Sequence, residues 1–288
     1  MFVKSVDSRK LAVQVRLCKL CLKTKELRDS HYLPKRLYAY TRAPEMKNPN
    51  PVVISQGELK QVSDQLRGHV FCNDCEIKLN EDGEKWVLAN IPHQYDEPFL
   101  LHDALEPLTP IGFGDGLNVY DLNGTAGFDL ARLIYFGIST FWRGSAHEWK
   151  STLGVPAPSV SLGGNEEALR KFVFGTNPLP NEVVITLDIW PYQKVLIVAY
   201  PPQEAHLAEC RRYWFYVPGL VYALHFGPTI PTSIRDRDLR NGIVGVDRLA
   251  GDSVLEFTKE KIKAVPKGPK FDAMIEEIAS IRVKKNTE

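Results

Sequence analysis

Cys72-Asn73-Asp74-Cys75-Glu76 is the stretch that decides how the first part of this chain folds. A C-x-x-C pair turns the backbone so that two thiolates converge on one ion, and a tetrahedral site needs two such pairs. The other is Cys18-Lys19-Leu20-Cys21, with fifty residues between the two. Redox dithiols are the competing use of this spacing, but neither pair reads as the strand-then-helix setting of a thioredoxin motif. The expectation is one structural Zn²⁺ held by Cys18, Cys21, Cys72 and Cys75, with no coordination position left for a substrate. Lys19 and Lys23 add positive potential that favours thiolate. Cys210, between Glu209 and Arg211, has no partner in the sequence.

Working outward, Pro34 suits the first turn of a short helix over 34–40. Residues 51–55 and 59–62 read as a hairpin. Asn73 or Asp74 is placed to cap a helix that starts at the second knuckle, and Gly83 to end it. These elements make a first unit, residues 1–95. From 92 to 127 prolines and glycines crowd together, which reads as a connecting region. Gly112-Phe113-Gly114-Asp115-Gly116 lacks the Lys-Ser/Thr ending of a phosphate loop and reads as a plain loop.

The second unit, 96–288, opens on a helix near 128–149. Leu130, Leu133, Ile134, Ile138, Phe141, Trp142 and Trp149 fall at helical spacing there. Asn165 is placed to cap a further helix, ahead of Glu166 and Glu167. Four extended segments follow: 182–190 and 194–200, joined at Pro191-Tyr192-Gln193, then 212–217 and 220–226, joined at Pro218-Gly219. They predict an antiparallel sheet packed on helices, an α+β class. Phe271, Met274, Ile275, Ile278 and Ile281 mark a closing amphipathic helix.

At 288 residues, 44% hydrophobic and 25% charged, the chain has the composition of an ordinary globular protein of two domains. Its longest apolar run, 213–226, is broken by Pro218-Gly219 and is too short to span a bilayer. No secretory leader is visible at Met1-Phe2-Val3-Lys4-Ser5, and unpaired thiols fit a reducing compartment, so the expected address is cytoplasmic, with no membrane. Net charge is only +1, yet residues 1–48 hold twelve Lys and Arg against four Asp and Glu. Such asymmetry points to a polyanion, nucleic acid above all, meeting the N-terminal unit.

With Leu27-Arg28-Asp29-Ser30-His31-Tyr32-Leu33-Pro34 between the two knuckles, the N-terminal third resembles the treble-clef zinc fold of HNH-type endonucleases. It is similar in particular to bacterial HNH-like proteins with a Ser-His-x-x-Pro segment and a C-x-x-C-E knuckle. Tyr135 to Arg143 is also similar to a helix of those proteins and carries no chemistry. The resemblance implies a ββα-metal nuclease: His31 as general base on a strand facing the helix from Cys72, and Mg²⁺ or Mn²⁺ steadying the phosphate. Glu76 and Asn80, four apart on that helix, would hold the cation or orient the base. Two positions depart from the family motif. Ser30 stands where an acidic or histidine ligand usually precedes the base, and the middle asparagine has no counterpart, leaving His69 or Gln65 to substitute.

The function expected from these residues is hydrolysis of DNA or RNA phosphodiesters by an HNH-like, zinc-stapled nuclease. The alternative is a catalytically degenerate zinc module that binds nucleic acid or serves as a platform for a protein partner or an oligomer. His31 as a purely structural imidazole belongs to the second reading.

Overall fold

The computed structural model describes residues 14–42, 45–55, 58–95, 97–191, 195–207, 209–269, 271–273 and 276. In its first part, β1 (Val15–Leu17), β2 (Thr24–His31) and α1 (Lys35–Tyr40) are followed by a hairpin of β3 (Val52–Ser55) and β4 (Glu58–Gln61). Next come β5 (Leu66–Cys72), α2 (Asn73–Leu79), a π-helical turn at Asn80–Glu84 and α3 (Lys85–Ala89). After α4 (Leu100–Asp103), β6 (Gly112–Gly114) and β7 (Leu117–Asp121) form a hairpin, and α5 (Leu130–Ala146) leads to β8 (Lys150–Ser151). Then follow α6 (Glu166–Phe174), β9 (Val183–Ile189), β10 (Tyr200–His206), β11 (Arg211–Val217) and β12 (Leu220–Phe226). The described chain closes through α7 (Thr232–Arg235), β13 (Ile243–Asp247) and α8 (Arg248–Lys263).

Two larger sheets organise these elements. The smaller is antiparallel in the order β1-β2-β5-β8, so β8, which follows α5, completes a sheet begun by the cysteine-bearing strands. The larger runs β10-β11-β12-β9-β13-β7-β6. It is antiparallel except where β13 lies parallel to β9. Every residue of β9 and β12 is buried, as suits strands covered on both faces.

Helix α5 sits between the two sheets. Asp129 caps it, its side chain accepting from the Arg132 amide at 3.1 Å. From Tyr135 to Gly144 it is buried all round, the pattern of a central helix. On one side Gly137 lets the helix backbone approach Ile185 and Tyr222, where a Cβ would collide with both. Phe136 and Phe141 meet Phe215 edge to face at 6.0 and 4.9 Å between ring centres. On the other side Trp142 packs on Phe71 at 5.7 Å, and Gly83 brings the π-helical turn against the backbone of Phe136. One continuous core thus runs from Leu20 and Phe71 to Tyr222 and Val244.

Several local expectations are corrected. Gly83 does not end a helix; it is buried in a continuous helical stretch because the close approach to α5 excludes a side chain there. Residues 112–116 are not a plain loop but strand β6 and a tight turn, with Asp115 and Gly116 both at positive φ. The strand expected over 194–200 is displaced to β10, and β10 pairs with β11 instead of β9, because β12 and β13 occupy both edges of β9. The hairpin at Pro218-Gly219 is present, with Val217 opposite Leu220 and Gly219 at φ +84°. Of the helix expected from Phe271 onward, Met274, Ile275, Ile278 and Ile281 lie outside the described residues.

Candidate metal centre and the strand beside it

The first knuckle is the turn between β1 and β2. The Cys18 amide donates to the Lys23 carbonyl and the Leu22 amide to the Cys18 carbonyl, both at 2.9 Å, with Leu22 in the left-handed region at φ +55°. The Lys19 amide donates to the Val70 carbonyl at 3.1 Å, which pins the turn to β5. The second knuckle opens α2: Cys72 stands at its N-cap position and Cys75 in its first turn. Strand does lead directly into helix here, contrary to the sequence reading. The thiols nevertheless gather with those of the first knuckle.

The sulfurs of Cys18, Cys21, Cys72 and Cys75 all lie within 4.8 Å of one another. Cys21 Sγ is 3.9 Å from Cys72 Sγ. Four Zn–S bonds of about 2.3 Å arranged tetrahedrally would separate the sulfurs by about 3.8 Å. The donor set and spacing therefore fit a metal such as zinc. The Cys72 amide donates to Cys18 Sγ at 3.3 Å, and the Cys75 thiol and backbone N–H groups beside Cys18 pull its own thiol down to about 4. Cys18, Cys72 and Cys75 are buried and Cys21 is half-buried. Lys25 closes one flank by pairing with Asp74 at 2.6 Å.

His31 ends β2. It is half-buried, its Nε2 is 2.8 Å from Gln65 Oε1, and its ring lies 6.1 Å from that of Tyr38. Burial lowers its pKa from the usual value, against the opposing effect of Gln65, so the imidazole is neutral near pH 7. Its charged surroundings are Asp29, Arg67 and Lys35, and Arg67 pairs with Asp29 at 2.8 Å. His69 is exposed on β5, opposite Asp29 in the ladder.

Glu76 has different surroundings. Neighbouring residues on a strand point to opposite faces, and the β2 residue that meets Glu76 is Ser30. Ser30 is fully buried, its Oγ accepting from the Phe71 amide at 3.1 Å. Burial raises the Glu76 carboxyl above the ordinary range, opposed by Arg143 and Ser30, and its Oε1 has no hydrogen-bond partner among the described residues. Asn80 is exposed, one turn further along, and donates to Glu81 at 3.2 Å. The fold thus gathers the four cysteines, and separately Ser30 with Glu76. Among the described residues His31 and Glu76 share no partner.

Arg143 is a buried charge beside Glu76 to which the sequence reading gave no chemistry. Its guanidinium is 3% exposed, ion-pairs with Glu84, donates to the Tyr32 carbonyl at 3.3 Å and faces Glu76. Burial opposes its charge, but Glu84 and Glu76 outweigh burial and raise its pKa. The available signal was an arginine closing the uncharged run 133–142 on a helix expected to be buried.

No family model matches the chain, and neither a curated protein nor a solved structure matches it. Among the described residues no helix is long and apolar enough to cross a membrane.

Proposed function

We propose that this chain is a zinc-stapled, nucleic-acid-binding protein whose HNH-like segment serves architecture instead of hydrolysis. The observation that carries the reading is the inward turn of Glu76. A ββα-metal site needs a helix-borne ligand close to the base and open to a hydrated cation, whereas Glu76 is half-buried, with its Oε1 buried and its carboxyl facing Ser30 and Arg143. Knuckles in the β1–β2 turn and at the start of α2 support a treble-clef arrangement, and four thiolates support a structural zinc. Unpaired thiols favour a cytoplasmic setting. The nucleic-acid partner rests on exposed cations around the zinc module. Arg16, Lys19, Lys23, Lys35 and Arg36 are exposed and enter no ion pair among the described residues, so their charge is available to phosphates.

The nuclease reading keeps one observation in its favour. His31 is neutral, half-buried and oriented by Gln65, as a general base should be. One experiment separates the readings: incubation of the zinc-loaded protein with plasmid DNA and with RNA, in Mg²⁺ and in Mn²⁺, for wild type and His31→Ala. Salt-sensitive binding without cleavage is the expected result. Metal-dependent cleavage abolished by His31→Ala would replace it with the nuclease.

A further inference from the structure

A second polar cluster lies far along the chain, on the face of the larger sheet opposite α5. Ladder partners share a face. The register sets Arg212 beside His225, and His225 beside Val184. Two and four residues along β9 from Val184, the same face carries Thr186 and Asp188, with Gly245 opposite Asp188. Arg237, just beyond α7, reaches over this face to ion-pair with Asp188. Gly245 makes that possible, because a Cβ there would collide with both Asp188 and Arg237.

The cluster is rich in donors that meet no acceptor. Arg212 forms no hydrogen bond or ion pair among the described residues, and its Nε is buried. The Nε of Arg237 is also buried without a partner. His225 is 3% exposed, its Nε2 lies 3.4 Å from Thr186 Oγ1, and its Nδ1 has no partner. Burial first, then Arg212 and Arg237, hold His225 down to about 3, so the ring is neutral and adds no cation. Asp188 is committed to Arg237, and Asp247 accepts from the Leu249 amide at 2.8 Å as the cap of α8. The charge of Arg212 is left without a contacting counter-ion. Buried donors lacking acceptors are costly and uncommon in native proteins. The buried Nε atoms of Arg212 and Arg237, with the unpartnered Nδ1 of His225 on the same face, mark the place of a missing acceptor.

We propose that Arg212, His225, Arg237 and Thr186 form a binding site for an oxyanion, the phosphate or carboxylate group of a small molecule, with Arg212 as its principal charge partner. The site is independent of the zinc module and of the reading given to it. Arg237 remains 22% exposed, so the cluster is in reach of solvent. Val184, Ile230 and Cys210, with Leu207 and Ile234 against them, form an apolar wall beside it.

The test is calorimetric titration of the full-length, zinc-loaded protein with inorganic phosphate and, separately, with acetate at matched chloride ionic strength. Saturable one-to-one binding of either anion is expected, tighter than about 10 mM, and weakened at least about tenfold in Arg212→Met. The two anions distinguish a phosphate from a carboxylate ligand. Absence of saturable binding of both would overturn the proposal, as would equal affinity in Arg212→Met. Thermal melts in anion-free buffer give an independent reading. An arginine kept for a ligand contributes nothing to the empty fold, so Arg212→Met should melt at or above wild type, and phosphate or acetate should raise Tm only in the wild type. A variant that melts well below wild type, or fails to fold, would show that Arg212 serves the fold itself and would refute the site. Thr186→Val, which leaves both guanidiniums in place, should weaken binding by about threefold.

Discussion

Arg143 on α5 and Glu84 at the end of the π-helical turn form an ion pair in the interior, the guanidinium 3% and the carboxylate 13% exposed. This pair joins the cysteine-bearing elements to the helix that supports the larger sheet. Removing one partner of such a pair leaves a buried charge uncompensated, at a cost of about 3–5 kcal/mol. Arg143→Met should therefore lower the urea midpoint strongly, and Arg143→Met with Glu84→Leu should recover part of the loss. A double variant no more stable than the single one would show that packing, not charge, sets the cost.

Metal removal should be felt well beyond the knuckles. Because Cys72 and Cys75 pack in the same core as Phe71, Trp142 and Phe215, chelation is expected to lower the melting temperature of the whole chain in one transition. The native protein should hold one zinc per chain by elemental analysis, and Cys75→Ser should reproduce the chelated melt. An unchanged melt after complete chelation would rule out a structural ion.

His225 makes stability depend on pH. Its folded pKa, held at about 3 by burial and by Arg212 and Arg237, lies below its usual value of 6.5. The folded state therefore resists a proton that the unfolded chain accepts. The contribution is complete above pH 6.5 and is lost as pH falls toward 3. The slope from this residue approaches about 1.4 kcal/mol per pH unit at most. Urea melts at pH 7, 6 and 5 should show it, and His225→Gln should flatten the profile over that interval.

Gly137 is a test of packing against propensity. Alanine is the better helix former by about 1 kcal/mol, yet its Cβ would press into Ile185 and Tyr222. Overpacking of this kind costs about 1–3 kcal/mol. Gly137→Ala is expected to destabilise, read as a lower denaturation midpoint at unchanged m-value; a stabilised variant would mean that α5 can move off the sheet.

The exposed cations near β2 should set the salt response of nucleic-acid binding. Each phosphate contact contributes about 0.9 to the slope of log affinity against log salt. Lys35→Ala with Arg36→Ala should weaken binding to all sequences alike and reduce that slope by about 2 if both contact phosphate. An unchanged slope would move the interface elsewhere on the chain.

The four-cysteine cluster was legible because C-x-x-C spacing is local: three peptide units place two sulfurs together whatever surrounds them. The Pro218-Gly219 hairpin and the presence of α5 were legible for the same reason, through turn chemistry and periodicity, although α5 is buried all round from Tyr135 to Gly144 and Trp149 lies beyond its end. The helical stretch past Gly83 and the pairing of β10 with β11 were not. Gly83 reads as a terminator in isolation and serves as a contact surface only once α5 lies against it.

By itself, then, the sequence determined the four thiols, the α+β class and the helices and turns whose signals lie within a few residues. The tertiary structure alone decided that Ser30 and not His31 meets Glu76, that Arg143 turns inward to Glu84, and that Arg212, His225, Asp188 and Arg237 meet on one face. Each of these depends on strand order, register and the side of a sheet that a helix covers. Those are settled by contacts between residues far apart in the chain, where a shift of one position reverses which side chain faces in.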